Sequence, residues 1–138
     1  MKALFLDEVQ IQGLILSDRD RVSLAYELII RGIEGVDTLL TSHVQQMSDP
    51  DLKLRINFVS RAVLGDSEDR SDFFNSLRSV ANRSNEEWVL EALGYLHHPL
   101  RIRESIQYID TSLQLLKEIK ETGDIFFPKR WLDRTLRN

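Results

Sequence analysis

From Ser17 onward, apolar residues return every three or four positions, and strict alternation is nearly absent. That period predicts helices and almost no strand. Ser17 with Asp20 forms a candidate capping box ahead of Val22, Ala25, Tyr26 and Ile29, and Gly32 and Gly35 punctuate the end of that helix. Val36, Leu39, Leu40, Val44 and Met47 make the next stripe. Asp49 is a cap, followed by Pro50 at the first helical position, where a missing N–H costs nothing. Leu52, Ile56, Val59 and Val63 follow, and Gly65 stops the helix. Asp66 begins another, with Phe73, Phe74, Leu77 and Val80 expected inward. Ser84 and Glu87 make a second capping box before Trp88, Ala92, Leu93 and Leu96, with Pro99 at or beyond that helix's end. A long stripe of Ile102, Ile106, Ile109, Leu113 and Leu116 then runs toward Gly123. A break is expected near Asp110, Thr111 and Ser112, which favour caps over helix interiors. Pro128 opens a last short helix.

The caps Ser17, Asp49 and Ser84 are spaced by 32 and 35 residues, and each interval holds two helices and a short turn. This is the period of stacked helix pairs. The expected fold is all-α, about eight helices in a HEAT- or armadillo-like superhelix of antiparallel pairs, with an irregular bundle as the alternative. No linker or low-complexity stretch interrupts residues 1–138, so a single helical-repeat domain is expected. The start is unusual. "KALFLDEVQIQ" has helical spacing at Leu4, Glu8 and Ile11, yet no Ser, Thr, Asp or Asn precedes it. A frayed first helix and a segment cut from a longer chain both fit that feature.

Composition narrows the function classes. The 138 residues suit one domain, 42% are hydrophobic and 29% charged, and the net charge is −4. A dedicated nucleic-acid binder usually carries a basic excess, so nucleic acid is not an expected partner. No apolar run approaches the ~18 residues of a membrane span, and Asp7 and Glu8 interrupt the apolar start too early for a signal peptide. With no cysteine, disulfides and thiolate metal sites are excluded. The compartment stays open between cytoplasm, the first choice, and periplasm.

Candidate chemistry is sparse. His43 falls beside Leu39, Leu40 and Met47 and reads as a packed structural residue. His97 and His98 are adjacent, so their side chains point about 100° apart on a helix and do not easily share a metal. They read as a helix C-terminus. Glu86-Glu87 and Asp18-Asp20 sit in first turns, where negative charge is stabilising. No Gly-x-Ser-x-Gly elbow surrounds Ser17, Ser84 or Ser105, and no glycine-rich phosphate loop exists. Composition does not explain the closing "GDIFFPKRWLDRTLRN". Lys129 and Arg130 lie in a first helical turn, where each opposes the dipole by about 0.3–1 kcal/mol, so carboxylate partners are expected. Phe126, Phe127 and Trp131 are expected to be buried, with the Lys and Arg stems at the rim. An RNA-binding reading would rest on Lys129, Arg130, Arg134 and Arg137.

Two stretches, "EEWVLEALGYLHHPLR" (86–101) and "GDIFFPKRWLD" (123–133), resemble the C-terminal region of gluzincin-type zinc aminopeptidases. The intervening "SIQYIDTSLQLLKEIKETG" is similar in pattern. The likeness is best over residues 84–133 and thins to short words such as "DPDLKLRINFV" before that. The resemblance implies an excised piece of a larger enzyme with a β-domain, a thermolysin-like zinc domain and a C-terminal stack of helix pairs. That stack arches over the active site and limits which peptides enter. H-E-x-x-H and G-x-M-E-N, which carry the family's chemistry, are absent here, so no catalytic residue and no metal ligand carries over. Zinc is expected only in the parent's catalytic domain. That domain is the expected partner, with peptide substrate touched indirectly, and the excised piece could form a homodimer. The candidate docking residues are Trp88, Tyr95 and His98, with Phe126, Phe127, Lys129, Arg130 and Trp131. Plain internal core is the competing reading of Trp88. A stand-alone scaffold for a protein or peptide is the alternative for the whole chain.

Overall fold

The computed structural model describes residues 13–136, and these are all-α, with no strand among them. The uncapped opening stretch and Arg137 lie outside the described residues. The chain divides into two compact units, residues 1–57 and 58–138. The division needs no linker, since it falls within a helix.

In the first unit, α1 (Asp18–Ile30) begins with the expected capping box. The Asp20 backbone N–H donates to Ser17 Oγ at 3.2 Å, and the Ser17 N–H donates to Asp20 Oδ2 at 2.9 Å. The bond from the Ser17 backbone N–H first, and then one from the Ser17 hydroxyl to the same oxygen at 2.8 Å, hold the Asp20 carboxyl below its ordinary range. Val22, Ala25, Tyr26 and Leu28 are buried, whereas Ile29 is only half-buried. Gly32, at φ 76°, ends α1 in a Schellman motif: the Ile33 N–H donates to the Leu28 carbonyl and the Gly32 N–H to that of Ile29. α2 (Val36–Gln46) packs back on α1 through Val36 and Leu40. α3 (Pro50–Ser60) is capped as expected, with Asp49 Oδ1 accepting from the N–H groups of Asp51 and Leu52.

The second unit contains α4 (Ser67–Ser76), α5 (Glu86–Leu96), α6 (Ile102–Ser105), α7 (Ile109–Gln114), α8 (Leu116–Thr122) and α9 (Phe127–Thr135). Three 3₁₀ turns, Val80–Arg83, Pro99–Arg101 and Ile106–Tyr108, join them. α4 starts from a second capping box, Asp66 with Asp69. Asp66→Ala should therefore cost about 1 kcal/mol, read as a lower urea midpoint with unchanged slope. No change in midpoint would count against that cap. The cap of α5 is Asn85, whose side chain accepts from the Trp88 N–H, not Ser84 as expected. Ser84 follows the Val80–Arg83 turn in helical geometry, and an N-cap needs extended backbone. That turn also puts Val80 outside the core, although Phe73, Phe74 and Leu77 are buried.

The long stripe after Pro99 is the largest departure from expectation. Helical geometry runs straight through Asp110, Thr111 and Ser112, and the irregularities fall on either side, at Ile106–Tyr108 and at Leu115. Ile102, Ile106 and Leu113 face outward, and Ser105, Tyr108, Ser112 and Ile119 are buried in their place. Tyr108 stacks on Phe74 with ring centroids 4.5 Å apart, and the Ser112 carbonyl accepts a bond from Trp131 Nε1 at 3.1 Å. Two small serines on the inner face leave room for these large rings.

Three arginines tie the second unit together. Arg70 of α4 makes a forked pair with Glu104, Nε to Oε1 at 2.6 Å and Nη2 to Oε2 at 2.8 Å, and also donates to the Gly65 carbonyl. The bond from Arg70 holds the Glu104 carboxyl below the ordinary carboxylate range, and Glu104 raises Arg70 in turn. Arg101 donates to the carbonyls of Ala62 (3.2 Å) and Val63 (2.8 Å). Arg83, buried, donates to the carbonyls of Leu77 and Arg78 and to Glu118. Each guanidinium reaches a carboxylate or backbone carbonyls across the unit, which is the arrangement of structural clamps.

Candidate docking surface

The C-terminal cluster is built on the seam between α5 and α9. α5 offers a wide apolar face of Val89, Leu90, Ala92, Leu93 and Leu96, and α9 lies against it. Gly123 allows the chain to turn into α9. A Cβ there would stand 2.8 Å from Phe127 Cδ1 and 2.9 Å from the Ile119 carbonyl oxygen, so no larger residue fits without movement. The turn is fastened by Glu86 Oε1, which accepts from the Asp124 N–H at 2.8 Å, and by Asp124 Oδ1, which accepts from the Phe126 N–H at 2.9 Å.

Phe127 and Trp131 are buried, their rings edge to face at 6.0 Å. The cations at the start of α9 have the carboxylates that the dipole argument demanded. Arg130 Nη1 meets Glu87 Oε1 at 2.8 Å, and Lys129 Nζ meets Asp133 Oδ2 at 2.7 Å. Phe126 departs from expectation: it is 64% exposed, and neighbouring Ile125 is 84% exposed. The N-terminus of α9 is the reason. Phe127 points into the core, and consecutive helical residues diverge by about 100°, so Phe126 must point elsewhere. A nucleic-acid surface would need open aromatic faces beside free cations. Here Phe127 and Trp131 are closed and Phe126 is open, while Lys129 and Arg130 each face a carboxylate.

The other sequence candidates are mostly internal. Trp88 is half-buried with its ring 5.9 Å from that of Phe58, and Tyr95 is half-buried against the same core. His98 is half-buried, and its Nδ1 accepts from the Leu100 N–H at 3.1 Å, capping the turn Pro99–Arg101. His97 caps the end of α5, but its ring is buried and burial pushes its pKa down to about 4, so no imidazolium serves the helix dipole there. In the first unit, His43 Nε2 lies 3.3 Å from Asp18 Oδ1, an ion pair when protonated.

The structure adds the outward stripe Leu100, Ile102, Ile106 and Leu113, with Ile106 65% exposed. The sequence shows these residues as an apolar run but not that the run faces away from the core. Clustered exposed apolar side chains on a folded unit mark places where something else docks. The exposed apolar candidates are thus this stripe and the Ile125-Phe126 turn. Among the described residues no helix is long and apolar enough to cross a membrane. Comparison of the chain with protein-family models, with curated proteins and with solved structures finds no match.

Proposed function

We propose that this chain is a non-catalytic helical docking domain, the C-terminal part of a zinc aminopeptidase that removes N-terminal residues from peptides. The supporting observation is the apolar stripe of Leu100, Ile102, Ile106 and Leu113 turned outward from a unit whose interior is already filled. The likeness of residues 86–101 and 123–133 to the helical region of that family supplies the parent. In this reading the stripe and the Ile125-Phe126 turn pack against the rest of the parent, and the domain bounds the chamber around the peptide. The zinc would belong to the catalytic domain, where it polarises the carbonyl and activates water. Among the described residues of this chain no group of three or more His, Cys, Asp or Glu side chains is placed to hold a metal ion.

An immunoblot of source-cell lysate with an antibody raised against this chain tests the reading. A band several times larger than 16.1 kDa, with peptidase activity in the purified protein, is the expected result. A single band near 16.1 kDa would overturn it in favour of a stand-alone scaffold binding a protein or peptide. In the full-length protein, Ile106→Asp should lower the melting temperature by several degrees, whereas in the isolated chain it should leave stability nearly unchanged. Equal effects in both would remove the stripe from the docking surface.

A further inference from the structure

The His97 ring is 1% exposed, and neither of its nitrogens has a hydrogen-bond partner. A buried polar ring normally finds one. Tyr108 meets it edge to face at 6.1 Å, and the Tyr108 hydroxyl is engaged with Ser71 Oγ at 3.2 Å. His97 also occupies a corner. It ends α5, His98 caps the next turn, and Arg101 of that turn reaches back to the carbonyls of Ala62 and Val63. We propose that His97 is an acid-operated latch on this corner, closed while the ring is neutral and released when it takes up a proton.

The physical argument is one of solvation. Neutral imidazole can stay inside on packing alone, against Tyr108. Imidazolium carries a charge and two N–H donors, and neither ring nitrogen has an acceptor here. Tyr108, which packs on the ring, is surrounded by the charged groups of Glu104, Arg70 and Arg101. None of these adds to or offsets the effect of burial on the ring. A protonated ring therefore has to leave toward solvent, past half-buried His98 and exposed Pro99. Its exit pulls on the Arg101 anchor two residues beyond that pair. The folded-state pKa is about 4 and the ordinary value 6.5, so the contribution is complete above pH 6.5. It declines as the pH falls toward 4. The inference concerns the isolated chain and does not depend on the docking reading.

Urea unfolding of the full chain at pH 7.5 and pH 5.0 tests it, with histidine ring resonances followed by NMR over the same range. The unfolding constant should rise about 30-fold more in the wild type than in His97→Phe, the ratio set by the two pKa values. The His97 ring should stay neutral down to pH 5, and the amides of residues 96–101 should lose protection more than those of α9. His97→Leu serves if the phenylalanine variant does not fold. A His97 ring titrating near 6.5, parallel pH dependence in wild type and variant, or uniform loss of protection would each overturn the latch.

Discussion

Trp131→Ala is expected to destabilise the second unit by about 3–5 kcal/mol, the cost of removing a large buried aromatic and leaving a cavity. Trp131 is among the largest fully buried side chains, it meets Phe127 edge to face, and its Nε1–H donates to the Ser112 carbonyl inside the seam. The whole folding free energy of a domain is about 5–15 kcal/mol, so the variant should lie close to the edge of folding. Far-UV circular dichroism in a urea titration is the appropriate probe, because the substitution removes one of two tryptophans. Trp131→Phe should fall between the two, keeping most of the apolar area but losing the bond to Ser112. Phe126→Ala is the control. Its ring is exposed, so its loss should change the midpoint by less than about 0.5 kcal/mol. Equal losses at positions 126 and 131 would contradict this assignment of inside and outside.

Arg70→Met should cost about 3–5 kcal/mol, because it strands Glu104 and the Gly65 carbonyl in a largely closed site. The companion Glu104→Gln strands Arg70. The double variant should recover part of the loss, since two neutral groups leave no uncompensated charge. Additive losses would show that the pair is not coupled. The pair also has a pH signature. Glu104 has its pKa lowered in the folded state, first by the Arg70 bond, so its contribution is present above the unfolded carboxylate pKa. That contribution fades as the pH falls through the folded value. Arg70→Met should flatten the stability curve in that acidic window, which begins below the one governed by His97.

How far these features could be read in advance differs from residue to residue. Ser17 with Asp20, Asp49 with Pro50, and Asp66 at the head of α4 announce themselves, because a cap is a contact between residues two or three apart. Gly32 and Gly65 are equally legible, since only glycine takes positive φ cheaply. The need for carboxylates beside Lys129 and Arg130 followed from the helix dipole, yet nothing local named Glu87, 43 residues away, as a partner. Arg70, Arg83 and Arg101 gave no signal at all. Each has a partner 34 to 39 residues off, and an arginine that will reach across the fold looks like any other until the chain folds.

The sequence by itself determined the all-α class, the positions of most turns and the burial of two of the three closing aromatics, Phe127 and Trp131 but not Phe126. Each of these rests on short-range sterics, on helical period, or on the large gain from burying an aromatic ring. The tertiary structure alone decided which face of residues 99–119 turns inward. Apolar period favoured Ile102, Ile106 and Leu113, but the core selected Ser105, Tyr108 and Ser112. Burial energy ranks side chains one at a time, while packing must fill a shared volume. With Trp131 and Phe74 already in it, that volume had room for small serines and a stacked tyrosine, and the isoleucines were left facing out.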